Sequence, residues 1–299
     1  MKKRLKRLRR NIGGEKHRFG WYGAGCYGAR CDGAKVLSGK ARKRFGQHFL
    51  EPVWVEKVVR AIAAQPDETF LEIGPGRGAL TRPLAARAKQ VFAFEIDRDL
   101  AAELRGTSPP NVTIIEGDVL DTLTTSRLAP SPGPLRVAGN LPYNIAAPIM
   151  FTLADLFSSG VQIADATLML QREVADRLVA KPGTREYGVL SVLLQHVASV
   201  EIVLKLPAGA FRPAPKVLST LVRLRFHPPH PPVADGAVFT ALVQAVFSRR
   251  RKTLSNAVRA FEKRGRTPFP GWLDGNRRPE TLSVAEFARL ADAYTAAGS

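Results

Sequence analysis

Thr69-Phe-Leu-Glu-Ile-Gly-Pro-Gly-Arg-Gly78 is the stretch that decides the fold. Thr69–Ile73 is a short β-rich run, and glycines 74, 76 and 78 follow it at once. Glycines there let the backbone turn tightly and approach a ligand with no Cβ in the way. Ala79–Ala88 then reads as a helix. In a doubly wound sheet, this first strand–helix turn is where a nucleotide-like ligand lies.

The alternation continues on both sides. Val91–Glu95, Val112–Glu116, Leu135–Gly139 and Ala166–Leu170 are predicted strands, with helices over Arg98–Arg105 and Ala146–Phe157. Strands spaced by helices predict a parallel sheet covered on both faces. Upstream, Pro52–Ala64 carries Val55, Val58, Val59 and Ile62 at helical spacing. Downstream, Arg172–Ala180 and Gly188–Ala198 are predicted helices, and Ser199–Lys205 and Leu218–Phe226 are strands that close one sheet edge. His227-Pro-Pro-His-Pro-Pro232 is a stiff break. Beyond it Ala237–Ser248, Thr253–Lys263 and Val284–Ala297 read as helices. The fold class is α/β, a Rossmann-like sheet over residues 42–228 with a small C-terminal helical domain over 229–299.

The two strand ends beside the glycine turn carry acids. Glu95 lies 21 residues after Gly74 and can accept hydrogen bonds from both hydroxyls of a ribose. Asp118, at the end of the third strand, can accept from an adenine amino group. A dehydrogenase loop offers the same glycines and a similar first acid. Two features tip the reading toward S-adenosylmethionine as cofactor and a class I methyltransferase sheet. Pro75 occupies a position where a pyrophosphate site wants a backbone amide, and Asp118 is outside the dinucleotide fingerprint. A ligand without phosphates needs fewer amides and more acceptors.

The sharpest signal is Gly139-Asn-Leu-Pro-Tyr143, at the end of the fourth strand. The N6 amine of adenine is a poor nucleophile because its lone pair is delocalised into the ring. Acceptors for its two hydrogens push it toward a tetrahedral shape. The Asn140 side-chain oxygen and the Leu141 carbonyl are the candidate acceptors, Pro142 aims that carbonyl, and Tyr143 offers a face for an extruded base. Alignment of nitrogen, methyl and sulfur then does most of the catalysis. The plain alternative is a strand, a Pro turn and a helix capped by Asn144.

Composition sets the frame. The 299 residues are 45% hydrophobic and carry a net charge of +19. Residues 1–44 contribute +13 of it and the other 255 residues +6. Such an excess favours a polyanion such as nucleic acid. Residues 1–41, rich in Lys, Arg and Gly without apolar periodicity, read as a disordered basic extension. They are either an RNA-binding arm or the product of a start placed too far upstream. No apolar run is long enough for a transmembrane helix or suited to a signal peptide, so no membrane partner is expected. Cys26 and Cys31 make neither a disulfide framework nor a convincing zinc site, and a cytoplasmic monomer without metal is expected. Ser248-Arg-Arg-Arg-Lys-Thr253 sets four cations in a row, Arg249, Arg250, Arg251 and Lys252, suited to RNA phosphates; the alternative is a solvated face.

With these residues in place, the chain from about residue 42 to 299 resembles the ribosomal RNA adenine dimethyltransferases of the KsgA/RsmA type, which act on the small (16S) subunit. Arg42-Lys-Arg-Phe-Gly-Gln-His-Phe-Leu50 resembles the family's opening motif. Leu168–Leu178 and Tyr187–Ser191 match its middle segment, and Phe211-Arg-Pro-Ala-Pro-Lys-Val217 its late loop. The resemblance implies N6,N6-dimethylation of two adjacent adenosines in a hairpin near the 3′ end of small-subunit ribosomal RNA, on an assembling particle. It implies that His48 (Asn in many members) and Leu50 line the cofactor pocket with Gly74, Gly76, Glu95, Asp118 and Asn140. It also implies that Tyr143 and Phe211 sandwich the target base. The alternatives are a core aromatic beside a stiff loop for Phe211, where the rigid prolines favour base stacking, and a capping or surface residue for His48.

Three other functions share part of this evidence. A large-subunit methyltransferase of the macrolide-resistance type shares fold and motif, and the middle segment and C-terminal domain argue against it. A non-catalytic assembly or transcription factor would not need an intact Asn140–Tyr143. An NAD-dependent oxidoreductase would separate from the rest by a thermal shift with NADH rather than S-adenosylhomocysteine.

Overall fold

The computed structural model describes residues 49–123, 133–142, 145–215, 217–259, 261 and 269–298. The basic extension, His48, Tyr143 and Asn144 lie outside them. All five residues of β2 (Thr69–Ile73) are buried, as a central parallel strand covered on both faces requires. On one side it pairs in parallel with β3 (Gln90–Glu95), which pairs with β4 (Val112–Glu116). On the other it pairs with β5 (Leu135–Asn140), followed by β6 (Ile163–Gln171). β7 (Ala198–Leu206) and β9 (Ser219–Phe226) complete a seven-stranded sheet of order β4-β3-β2-β5-β6-β9-β7, in which β9 is antiparallel to both its neighbours. The chain leaves β2 toward β3 and later returns to β2's other side with β5. The crevice at the carboxyl ends of β2 and β5 is therefore a topological switch point, where such sheets bind ligands.

β1 (Phe49–Leu50) and β8 (Phe211–Arg212) form a separate two-stranded ribbon, pairing Leu50 with Phe211. α1 (Pro52–Ile62) starts beside it with proline in its first turn and buries Val58, Val59 and Ile62. α2 (Thr81–Ala85), α3 (Arg98–Thr107), α4 (Val119–Thr122) and α5 (Ala146–Ser158) connect the strands. α2 is shorter than the expected Ala79–Ala88, because the backbone closes into turns at Leu84, whose carbonyl takes the amides of Arg87 and Ala88. β6 is longer than expected. Asp165 interrupts its apolar run, but within the sheet that carboxylate is paired with Arg136 of β5.

α6 (Arg172–Leu178) and α7 (Val189–Gln195) precede β7. After β9, α8 (Gly236–Ser248), α9 (Leu254–Val258) and α10 (Val284–Gly298) make the C-terminal part helical. Asp235 caps α8, its carboxylate accepting from the amides of Ala237 and Val238. These helices extend the core that starts at the sheet. The ring of His196, after α7, lies 4.3 Å from that of Phe239, and Phe247 of α8 packs against Tyr187 and Phe287.

Candidate active site

Gly74, Gly76 and Gly78 have φ of 69°, 59° and 79°, a region that residues with a Cβ avoid. Gly74 donates to the Phe94 carbonyl at 3.0 Å, and Gly78 to that of Pro75 at 2.9 Å. A Cβ on Gly78 would stand 2.9 Å from Leu104 Cδ2, so the third glycine serves the packing of the loop on α3. Glu95, at the end of β3, is buried. Its Oε2 accepts from Gly76 N–H at 3.0 Å and its Oε1 from Asp97 N–H at 2.9 Å. A carboxylate has about four acceptor sites, so two remain for a ribose edge while the first two hold the loop in shape. Gly117 N–H donates to the Glu95 carbonyl at 2.9 Å, which sets Asp118 beside Glu95. Asp118 caps α4, its Oδ1 accepting from Leu120 N–H.

Replacing Glu95 with alanine removes both the loop tether and the ribose acceptor. Affinity for S-adenosylhomocysteine, read by calorimetry, is expected to fall about 10- to 100-fold, since hydrogen bonds to a charged group contribute about 1.5–3 kcal/mol. An unchanged dissociation constant would refute the ribose contact.

One residue here was given no role from the sequence. Glu72, in the middle of β2, is 1% exposed, and its Oε2 has no hydrogen-bond partner in the structure. Burial pushes its pKa up to about 7; the Thr81 hydroxyl partly offsets this, and the nearby Glu95 charge adds to it. The signal was available, since an acid flanked by Phe70, Leu71 and Ile73 in a fully buried five-residue strand is not there for solubility. A buried carboxyl with one oxygen unpaired, in the strand that feeds the glycine turn, fits a site that receives a polar, positively charged cofactor. The raised pKa has a stability consequence. The native state holds this proton from the ordinary carboxylate range up to about pH 7 while the unfolded chain releases it, so stability falls as pH rises through that window. Glu72→Gln is expected to flatten the fall and, without cofactor, to stabilise the fold above pH 7 by up to about 3 kcal/mol. Urea titrations at pH 5 and pH 8 check this, and parallel losses in both proteins would refute it.

On the target side, β5 presses against β2. A Cβ on Gly139 would lie 2.5 Å from the Ile73 carbonyl oxygen, an overlap no side chain tolerates. That approach brings the Asn140 carbonyl to 3.6 Å from the position of a Cβ on Gly74, so the strand end with the Asn-Leu-Pro motif lies against the glycine loop. Leu141 is buried and donates to Met169 of β6 at 3.3 Å, while the Pro142 carbonyl accepts from Ile145 N–H at 3.1 Å just before α5. The β1/β8 ribbon, with Glu51 N–H donating to Ala210 O at 2.9 Å and an Arg212–Glu51 ion pair, joins the opening motif to the late loop. Phe211 is 2% exposed and packs with Leu50. That is the burial of a core ring, and presenting a face to a base requires the ribbon to open.

The middle motifs are structural. Ser191 Oγ donates to the Arg177 carbonyl, and Gln195 Nε2 to those of Leu178 and Ala180, capping the end of α6. The basic run divides. Arg249, Arg251 and Lys252 are exposed. Arg250 turns inward, donating to the Arg185 and Thr184 carbonyls and facing Glu280 at 3.6 Å. The expectation of four phosphate contacts therefore reduces to three side chains facing solvent, because Arg250 binds the loop before α7.

A family model described as ribosomal RNA adenine dimethylase matches residues 38–296. The ribosomal RNA small subunit methyltransferase A of Acinetobacter baylyi is 44% identical over 268 residues, covering 86% of this chain and 94% of that protein. The protein of the same name from Aromatoleum aromaticum is 45% identical over 265 residues, covering 87% and 96%. Among solved structures, a dimethyladenosine transferase from Plasmodium falciparum superposes with a TM-score of 0.67 at 25% identity, covering 84% of this chain and 98% of that one. The 23S rRNA methyltransferase ErmE superposes with a TM-score of 0.57 at 26% identity, covering 82% and 98%.

Proposed function

The chain belongs to the ribosomal RNA adenine dimethylase family, and from that premise we propose that it dimethylates N6 of two adjacent adenosines in the hairpin near the 3′ end of small-subunit ribosomal RNA, using S-adenosylmethionine. The observation that carries the reading is the contact of the Asn140 strand end with the Gly74 turn. It brings the strand end that carries Asn140 against the glycine turn, which supports a role for that residue next to a bound methyl donor.

The cofactor, when bound, supplies a methyl group on a positively charged sulfur. Glu95 and Asp118 hold its ribose and adenine edges, and the glycine loop lets its backbone come close. The Asn140 side-chain oxygen and the Leu141 carbonyl accept the two N6 hydrogens and turn the nitrogen lone pair toward the methyl carbon. The bound cofactor would supply the methyl to that lone pair and would take the electron pair of its C–S bond, and the N6 proton, made acidic by the new N–C bond, would pass to water. Tyr143 stacks on the extruded adenine. Leu50 and the buried Phe211 wall the pocket, with His48 beside the cofactor, and Phe211 stacks on the base once the ribbon opens. The enzyme acts as a cytoplasmic monomer on the assembling small subunit. Among the described residues no helix is long and apolar enough to cross a membrane.

Arg249, Arg251 and Lys252 meet RNA phosphates. Replacing all three with alanine is expected to lower the slope of log affinity against log salt by about 2–3, at 0.7–0.9 per phosphate contact. Arg250→Ala is expected to destabilise the fold instead. An unchanged slope in the triple variant would return the cluster to a solvated face.

Tritiated methyl transfer to unmethylated small subunits, with large subunits in parallel, tests the function. Dimethyladenosine in the small subunit's 3′ hairpin is the expected product. Label in large-subunit RNA alone would move the protein to the resistance type, with which it shares a fold. No label, with cofactor bound, would favour a non-catalytic assembly factor.

A further inference from the structure

Among the described residues, four large apolar side chains are strongly exposed: Val53, Ile96, Val217 and Leu218. Single exposed apolar residues are ordinary on any surface. These four are not scattered, because all lie at the end of the sheet where the parallel strands finish. Ile96 follows Glu95 on the cofactor side, and Val53 opens α1 beside the β1/β8 ribbon. Val217 and Leu218 form an adjacent pair, 40% and 42% exposed, where the late loop runs into β9.

The position of this pair is fixed. The Leu218 carbonyl accepts from Arg172 N–H at 2.9 Å, and the next residue, Ser219, pairs with Gln171. β9 is two strands from β5, and Leu221, three residues after Leu218, is level with Asn140 through Met169, so Leu218 lies roughly 14 Å from the Asn140 strand end, at about 4.8 Å per strand and about 3.3 Å per residue. A cation lies beside it. The Arg172 side chain is 55% exposed and faces Asp176 at 3.5 Å. Exposed pairs of this kind contribute little, so this guanidinium can exchange its carboxylate for a phosphate. An apolar shelf beside an available cation matches one nucleotide, with its base on the shelf and its phosphate on Arg172.

We propose that Val217 and Leu218 form a ledge that holds the non-reacting adenine of the adjacent pair while its neighbour occupies the site. The inference rests on the two-adenosine reading above. Extruding one adenine takes a stacking face away from the other, and the ledge replaces that face on the β9 side. Because it lies on one side of the site only, it serves one of the two registers in which the pair can bind.

The test is a Val217→Ser, Leu218→Ser double variant, assayed on unmethylated small subunits with the rate at each adenosine measured separately by mass spectrometry of the excised fragment. One adenosine is expected to slow at least tenfold and the other to stay within twofold, with S-adenosylhomocysteine affinity unchanged. Leu218→Met should behave as wild type. On RNA in which an abasic nucleotide replaces the non-reacting adenosine, the double variant and wild type should react equally. Equal slowing at both adenosines, or no change at either, overturns the ledge alone. Wild-type protein that labels no small-subunit adenosine overturns the substrate reading and the ledge with it.

Discussion

Asn140→Ala is expected to lower the rate of methyl transfer by about two to three orders of magnitude while cofactor affinity falls far less. An N6 amine conjugated with its ring has no lone pair to offer until both hydrogens are drawn out of the ring plane. One of the two acceptors is a backbone carbonyl that no substitution removes, and the other is the Asn140 amide oxygen. Loss of one preorganised polar contact to a reacting centre has a cost of that order, because water does not replace it in the same place. The register supports an effect on chemistry rather than on folding. Asn140 is the last residue of β5, half-buried, and pairs with Met169, so its backbone bonds survive truncation. Single-turnover transfer and calorimetry on the same variant separate the two quantities. Normal turnover would remove Asn140 from the acceptor role.

That the sequence pointed to Asn140 and passed over Glu72 has a physical reason. The parallel strands were legible because short apolar runs alternated with helical spacing, and β2 and β4 fall on the predicted residues. The loop motifs were legible because glycine, proline and asparagine at a strand end carry conformational and chemical meaning at once. What resisted reading was polar chemistry hidden by tertiary partners. Asp165 shortened the prediction for β6 because a lone carboxylate in an apolar run looks like a boundary. Only the fold shows that Arg136 faces it from the next strand. Likewise four consecutive cations look equivalent along a sequence, while the turn after α8 sends Arg250 inward. Phe211 shows the limit from the other side, since its motif suggests an open stacking face and the pairing with Leu50 covers it.

The largest stability effect is expected at Arg136, at the opposite end of β5 from Asn140. Its side chain is 9% exposed. It donates to both oxygens of Asp165 at 3.1 and 2.9 Å, to Glu68 at 2.8 Å, and to the carbonyls of Ile62 and Ala63 at 2.8 and 3.3 Å. Burial alone would loosen its proton, but the hydrogen bonds and charges of Asp165 and Glu68 hold its pKa above the usual value. One guanidinium thus serves strands β5 and β6 and the last carbonyls of α1, where Ala63 takes a left-handed φ of 57°. Arg136→Met keeps the volume and leaves Asp165 and the helix-end carbonyls without this partner. It is expected to lower the unfolding free energy by about 3–5 kcal/mol, the usual result of breaking a buried pair from one side. Pairing it with Asp165→Leu should recover part of the loss, because an apolar pair does not strand a buried carboxylate. Arg223 keeps its own bonds to Thr167 and the Ala61 carbonyl, so the end of α1 remains tethered in both variants. Urea unfolding of the two proteins, with S-adenosylhomocysteine affinity measured at zero denaturant, separates this structural role from any role at the site. The affinity should be unchanged, since the network and the glycine turn lie at opposite ends of the strands. A loss below about 1 kcal/mol in Arg136→Met would mean that water reaches these carbonyls and replaces the guanidinium, and that the strand ends here are open to solvent.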